Sequence, residues 1–447
     1  MLFPEFAKQL VSKQNKQISL NKLSIQKLVE GFSYIYDVKQ LVIKNKGFVI
    51  FSTLFFILSF IIENINGRFW LNDFKVYYLA AQALLEGKEV YGVPFGLNTG
   101  FYKYSPFILF GFFPLSVLPY FIASTIHFIL ISVSSILVIL IIQKMMQQYI
   151  FKTGNKVQSL LLSVSFICIL THLVRELHMG NMNMILLLLL SVGFLFTLKS
   201  KYILGGICIG IVIVTKPYFL LLMLPFVFHK KIKVIVSAIG TIIFSFFGTF
   251  FVFGFSKAIS LHQSWVAAML EHNNYITSHE TVLSLIKYYI YPSAPNSFQY
   301  IGLALVVIIY FLIFIYRNII AKKSLQKSKN ENVYFIIECY TLLAIIPNLL
   351  LTDTEHFLFS LPLIILLLNY LFIYKHLLPI VFFSILIFLY EGNSSDILGN
   401  RLADKFDEMG MLGISNLFII MFSIYVIFKN NILPYNKDAI SEKPSSF

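Results

Sequence analysis

The sequence predicts an all-α polytopic membrane protein of about 12 transmembrane helices, with an amphipathic first extracytoplasmic loop. Three observations carry that expectation. The 447 residues are 58% hydrophobic and only 13% charged. Soluble chains carry about 25% charged residues, so too little polar surface exists here to cover globular domains. Apolar residues come in long runs such as 184–192 and 361–368. The net charge of +14 sits mostly in short segments between such runs, where it signals topology. Without aromatic interleaving or a binding motif, the basic termini do not point to nucleic acid. Cys168, Cys208 and Cys339 lie inside apolar runs without metal-ligand spacing, as small core residues do.

The elements follow in order. Residues 1–46 are polar and Lys-rich and contain no cleavable signal peptide, so they read as a cytoplasmic segment before a retained first anchor. Their apolar positions (Leu20, Leu23, Leu28, Phe32, Ile35) fit either an amphipathic helix on the inner leaflet or a partly ordered extension. Spans are expected near 47–62, 119–143, 157–174, 181–198, 202–216, 217–228, 234–254, 300–316, 333–350, 357–374, 377–390 and 411–428, within a transmembrane domain of 47–428; 429–447 is a cytoplasmic tail. The segments that this layout puts inside hold 25 of the 35 Lys and Arg, and the outer ones 14 of the 21 acids. Positive charge stays cytoplasmic in short loops. Both termini are therefore expected inside a cell (inner) membrane, and the long segments 63–118, 255–299 and 391–410 outside. Residues 105–118, short and punctuated by Pro106 and Pro114, read as an interfacial or half-inserted helix.

Polar clusters gather at the outer face of this layout. The first outer loop predicts a helix over 74–86, with Asn72 or Asp73 as N-cap and Gly87 as stop. Asp73, Tyr77 and Ala81 share one face, which could rest on the membrane surface. Then come Phe101-Tyr-Lys-Tyr-Ser-Pro106, Arg175-Glu-Leu-His-Met-Gly-Asn-Met-Asn183, Thr215-Lys-Pro217 and Thr352-Asp-Thr-Glu-His-Phe357. Each has a bland reading: Asp73 as a helix cap, Tyr and Lys as interfacial anchors, Arg175–Glu176 as a loop ion pair, Lys216 snorkelling, His356 as a cap. Together they favour a working site, because ionisable groups are expensive in so apolar a chain.

The run Asp73-Phe-Lys-Val-Tyr-Tyr-Leu-Ala-Ala with Leu-Leu-Glu-Gly-Lys-Glu-Val-Tyr91, followed by Phe101–Pro106, His178-Met-Gly-Asn-Met-Asn183, Gly205-Gly-Ile-Cys-Ile-Gly210 and Thr215-Lys-Pro217, resembles glycosyltransferase family 87. The patch at 352–356 is similar to that family's late motif but lacks its Trp, and Asn181 directly follows Gly180 where a Gln is usual. The resemblance covers about residues 47–375. It implies a GT-C-type enzyme that takes a sugar, most commonly mannose, from a polyprenyl-phosphate donor at the outer face. It maps the catalytic Asp onto Asp73 and the late His onto His356.

These residue types suit that chemistry. The leaving phosphate is stable as an anion, so the reaction needs one base on the acceptor hydroxyl and no general acid, and direct displacement inverts the anomeric centre. Asp73 is the expected base. Arg175, Lys216 and His356 are the expected phosphate-binding groups. Tyr77, Tyr78, Lys103, Tyr104, His178, Asn181, Asn183 and Glu355 complete the candidate substrate site. The segment 255–299, with Trp265, His262, His272 and His279, is placed to close over the acceptor. No cofactor is expected and the histidines lack zinc spacing, although Mg²⁺ held by Asp73 and Glu280 is compatible with the sequence. The expected partners are the lipid-linked donor, a glycolipid or glycan acceptor and the bilayer. A saccharide transporter or flippase would place several ionisable groups at mid-membrane, where only Glu338 clearly qualifies, which counts against that reading. A glycan ligase or polymerase of related fold would use an Arg-rich outer loop, and 255–299 has no Arg.

Overall fold

The computed structural model describes residues 39–96, 100–151, 159–272, 278–298, 300–308, 312, 331–350, 353–392 and 394–429. Residues 1–38 and 430–447, the Lys/Arg cluster of 317–329, Thr352, Asn393 and the His272 side chain lie outside this description. Among the described residues there is no strand, and only Pro94 and Phe101 form an isolated bridge. The chain divides into units 1–51 and 52–447. In the first, residues 39–50 are helical but for a turn at Asn45, whose amide bonds back to the Leu41 carbonyl. Apart from residues 46–51, the elements below belong to the second.

The apolar stretches predicted to span are helical over most of their described residues, with breaks at 168–169, 181–182 and Lys216. Among the described residues, five helical stretches are long and apolar enough to cross a membrane: α1 (Lys46–Ile65), α4 (Tyr120–Met145) with its extension to Phe151, α10 (Ile232–Phe253), α13 (Glu331–Leu349), and Thr354–Tyr374, a 3-10 turn leading into α14 (Leu361–Tyr374). Two bent pairs raise the number to seven: α5 (Ser159–Ile167) with α6 (Leu170–Met179), bent by 66°, and α17 (Asn400–Glu408) with α18 (Met411–Lys429), bent by 60°. Shorter apolar helices are α7 (Asn183–Leu198), α8 (Tyr202–Thr215), 217–228 ending in α9 (Met223–Phe228), and α15 (Leu377–Glu391). The protein is a polytopic membrane protein.

Packing follows residue size. All of α14 from Leu361 to Leu371 is buried, as suits a helix apolar all round. α8 lies between α7 and α10. A side chain at Gly210 would meet Thr241 Cβ of α10 at 2.6 Å, a close backbone approach that small residues permit in membranes.

The segments expected outside are structured over their described residues. In the first, α2 (Asn72–Leu85) packs on α3 (Leu109–Ser116), and Tyr78 and Gln82 donate to the Leu118 and Ser116 carbonyls. Tyr77 and Ala81 are buried, so that face turns into the protein and not onto a membrane surface; aromatic packing outweighs the amphipathic pattern. α11 (Phe255–His272) and α12 (Val282–Tyr289) form the second. In the third, α16 (Ser395–Leu398) precedes α17, but Glu391 is not solvated: it is buried and accepts from the Thr171 amide at 2.6 Å. That contact tethers α6, whose polar residues turn inward at the bend after α5.

Candidate active site

A cavity of about 350 Å³ opens where the helices break. Six described segments meet there: the start of α2, residues 100–104, the end of α6 through Asn181, the α8 break at 215–218, Met269 of α11, and 353–356. Each break has a local cause. α6 stops at Gly180, whose left-handed backbone (φ 67°) an L residue rarely adopts. Lys216 is extended (φ −133°, ψ 98°) because a following proline disfavours the helical region. The 3-10 turn at Thr354 begins after extended Asp353.

Asp73 is not the N-cap. That position is Leu71, itself left-handed, and Asp73 stands in the first turn with its carboxylate facing the cavity. Asn181 Nδ2 donates to Asp73 Oδ2 at 2.9 Å, while Asn181 Oδ1 accepts from the Met182 amide. Burial and then the carboxylates of Glu355 and Asp353 push the Asp73 pKa up to about 7, against Lys103 and Lys216, which lower it. Lys103 is itself lowered by burial, opposed by Asp353 and Asp73. The base of α2 is fixed by contact: a Cβ at Gly180 would meet Leu71 Cβ at 2.9 Å and Phe74 Cβ at 3.0 Å. His127 of α4 stacks on Phe74 at 4.4 Å and donates to the Gly180 carbonyl at 2.9 Å.

Lys216 does not snorkel. It is buried, and its Nζ donates to Asn183 Oδ1 at 2.7 Å and lies 2.8 Å from His356 Nε2. His356 is oriented in turn, since its Nδ1 lies 3.1 Å from the Asp353 carbonyl; with the proton there, Nε2 accepts from the lysine. Behind them Glu176, fully buried, accepts from Asn183 Nδ2 at 2.9 Å and from the Met184 amide at 3.0 Å, capping α7. Glu176, Asn183, Lys216 and His356 thus form one continuous chain.

Arg175 and Glu176 are not a loop pair. Neighbours on a helix point apart, and Arg175 reaches Glu355 instead, Nε to Oε1 at 3.0 Å. Glu355 Oε2 and the Tyr218 hydroxyl are buried beside the cavity with no hydrogen-bond partner among the described residues. The Tyr77 and Tyr104 hydroxyls pair at 2.9 Å. α11 contributes Met269 to the lining, and Trp265 Nε1 donates to the Lys103 carbonyl at 3.0 Å.

The structure therefore brings Asp73, Tyr77, Lys103, Tyr104, Arg175, Asn181, Lys216, Glu355 and His356 to one cavity, with Asn183 behind it. It does not bring Tyr78, which bonds the Leu118 carbonyl, or His178, which pairs with Glu63 at 3.0 Å. Glu280 is not in the lining of this cavity; it accepts from the Gly413 amide at 2.6 Å. His262 packs on Phe246 and bonds the Ala258 carbonyl, while His279 sits near Asp407, so these two do not converge. Glu338 is paired with His229 at 3.0 Å. Sequence reasoning missed Asp353, Tyr218, Glu176 and His127. The first three stand beside residues it named; His127 left no signal beyond a histidine in an apolar run.

Fold and site together define a polytopic membrane protein with a charged cavity walled by helix ends. The chain belongs to glycosyltransferase family 87, whose model matches residues 101–344. Arg175 and Lys216 fall inside the match; Asp73 and His356 lie outside it. The chain is also similar to an alpha-(1->3)-arabinofuranosyltransferase of Corynebacterium glutamicum, 28% identical over 209 residues, or 46% of this chain and 47% of that protein. The match spans about half the length of that curated relative.

Proposed function

We propose that this protein is a GT-C-type membrane glycosyltransferase that moves a sugar from a polyprenyl-phosphate donor to a lipid- or glycan-linked acceptor on the extracytoplasmic side. The observation that carries the proposal is the sharing of one cavity by a carboxylate with a pKa near 7 and a cluster of cations. Asp73 takes the proton of the acceptor hydroxyl as its oxygen attacks the anomeric carbon. The bond from that carbon to the phosphate oxygen breaks, its electron pair stays with the phosphate, and the configuration inverts. Lys216, held by Asn183 and His356, and Arg175, held by Glu355, meet the developing phosphate charge. Glu355 Oε2, Asp353 and the Tyr218 hydroxyl are available for sugar hydroxyls. Lys103 balances the acidic side, and Tyr77 and Tyr104 brace Asn181.

The resemblance favours a hexose, mannose foremost, while the relative is named for arabinofuranose, so both belong in the test. Purified protein is incubated with labelled polyprenyl-phosphate mannose or arabinofuranose and a panel of glycolipid acceptors. Product from one donor, with the anomeric configuration inverted, is expected. Retention of configuration would overturn the mechanism, and no product from either donor would favour transport over transfer. The lysines and arginine supply the positive charge, so EDTA is expected to leave the rate unchanged; loss restored by Mg²⁺ would contradict that.

A further inference from the structure

A second cleft, of about 510 Å³, lies between α5, α14 and α15. α14 and α15 are consecutive, joined only by Lys375 and His376, and such short connections normally leave antiparallel neighbours packed together. Their sequences are written for it: α14 offers Leu368, Leu371 and Phe372, and α15 offers Ile380, Phe383 and Ile387, each a stripe at helical spacing. The stripes do not close on each other. α15 packs instead on α18, with Phe382 against Phe422 at 5.3 Å, and α14 on α5, α13 and α18. Protein interiors rarely leave gaps larger than a water molecule, so a cleft of this size between facing apolar stripes needs an apolar filling. Ser384 makes no polar demand on it, since its hydroxyl bonds the Ile380 carbonyl at 2.9 Å.

One end of the cleft is charged. Lys375 lines it, is exposed, and is held left-handed (φ 52°), a conformation costly for a residue with a Cβ. From Lys375 to Leu368 the wall rises about 10 Å along α14, the depth of part of a hydrocarbon chain. Hydrocarbon walls and a cationic mouth match one class of molecule in a bilayer. We propose that this cleft binds an anionic phospholipid, one acyl chain lying between the α14 and α15 stripes and the phosphate at Lys375. The proposal does not depend on the transferase reading.

The test uses full-length protein in vesicles of phosphatidylcholine or phosphatidylglycerol with brominated acyl chains. Phe383→Trp places a fluorescent reporter in the cleft, and Val381→Trp, exposed on the same helix, is the control. Quenching is read over that of the protein without either change, which carries its own two tryptophans. Phosphatidylglycerol is expected to quench Phe383→Trp with about fivefold preference, the contribution of one lysine toward anionic lipid. The preference should vanish on adding Lys375→Gln and be absent at Val381→Trp. Equal quenching by both lipids, or none by either, overturns the proposal. If Phe383→Trp does not fold, Ile387→Trp further along the stripe serves with the same expected and contrary results.

Discussion

The two clefts of this molecule are opposites in construction. The first is walled by places where helices stop: Gly180, the extended Lys216 before Pro217, and the turn after Asp353. Its side chains are already bonded to one another before any substrate arrives. The second lies between α14 and α15, each unbroken along the lining, and the end of α5, and presents hydrocarbon with one lysine at its mouth. The difference shows where an apolar chain can keep chemistry. Breaking a helix frees backbone groups and turns polar side chains inward, and the cost is met only where those groups satisfy each other. Intact helices can offer little more than shape.

The sharpest way to break this comparison is Asp73→Asn. Transfer of labelled sugar should fall by about 10²–10⁴-fold in kcat, the usual contribution of a general base, with normal membrane insertion. A variant that keeps most of its turnover would remove Asp73 from the mechanism. Next, Lys216→Met should lower kcat by about 10²–10³-fold. Lys216→Arg should recover only part of that, because a planar guanidinium does not fit the point-charge position between Asn183 and His356. Full recovery would mean that charge alone matters there.

The pH profile sharpens the comparison further. The base works only when ionised, so with its pKa near 7 the rate should rise about tenfold per unit below that pH and level off above it. The Asp353 charge helps to hold the Asp73 pKa up, so Asp353→Asn should move the midpoint to lower pH; a shift upward would contradict the electrostatics described here. The smallest effect is on stability. Asn183→Ala leaves buried Glu176 short of a donor and Lys216 short of an acceptor. It should cost about 1–3 kcal/mol, read by thermal unfolding in detergent, whereas Lys375→Gln at the second cleft should leave the melting temperature unchanged.

Much of this was legible in the sequence. Composition and run length foretold a polytopic helical chain, and the helix expected at 74–86 is found at 72–85. The polar clusters that the spacing singled out do converge on one cavity. Their partners were not legible, because they come from far along the chain: Arg175 finds Glu355, Asp73 finds Asn181, and Lys216 finds His356. Nor was the direction of each side chain. Tyr78 stands beside Tyr77, and His178 beside Met179, neighbours that line the cavity, yet a helix turns about 100° per residue, and that rotation took Tyr78 and His178 away from it. Glu176 looked like a mate for Arg175 by adjacency, when its place was decided by the amides of the next helix.

The glycine at 180 has a consequence for the stiffness of one cavity wall. With no side chain between them, the end of α6 and the first turn of α2 touch backbone to root, so the jaw that bears the carboxylate has no slack to give. The opposite wall is built differently: α11 reaches over through Met269 and is held to the loop below by the indole of Trp265.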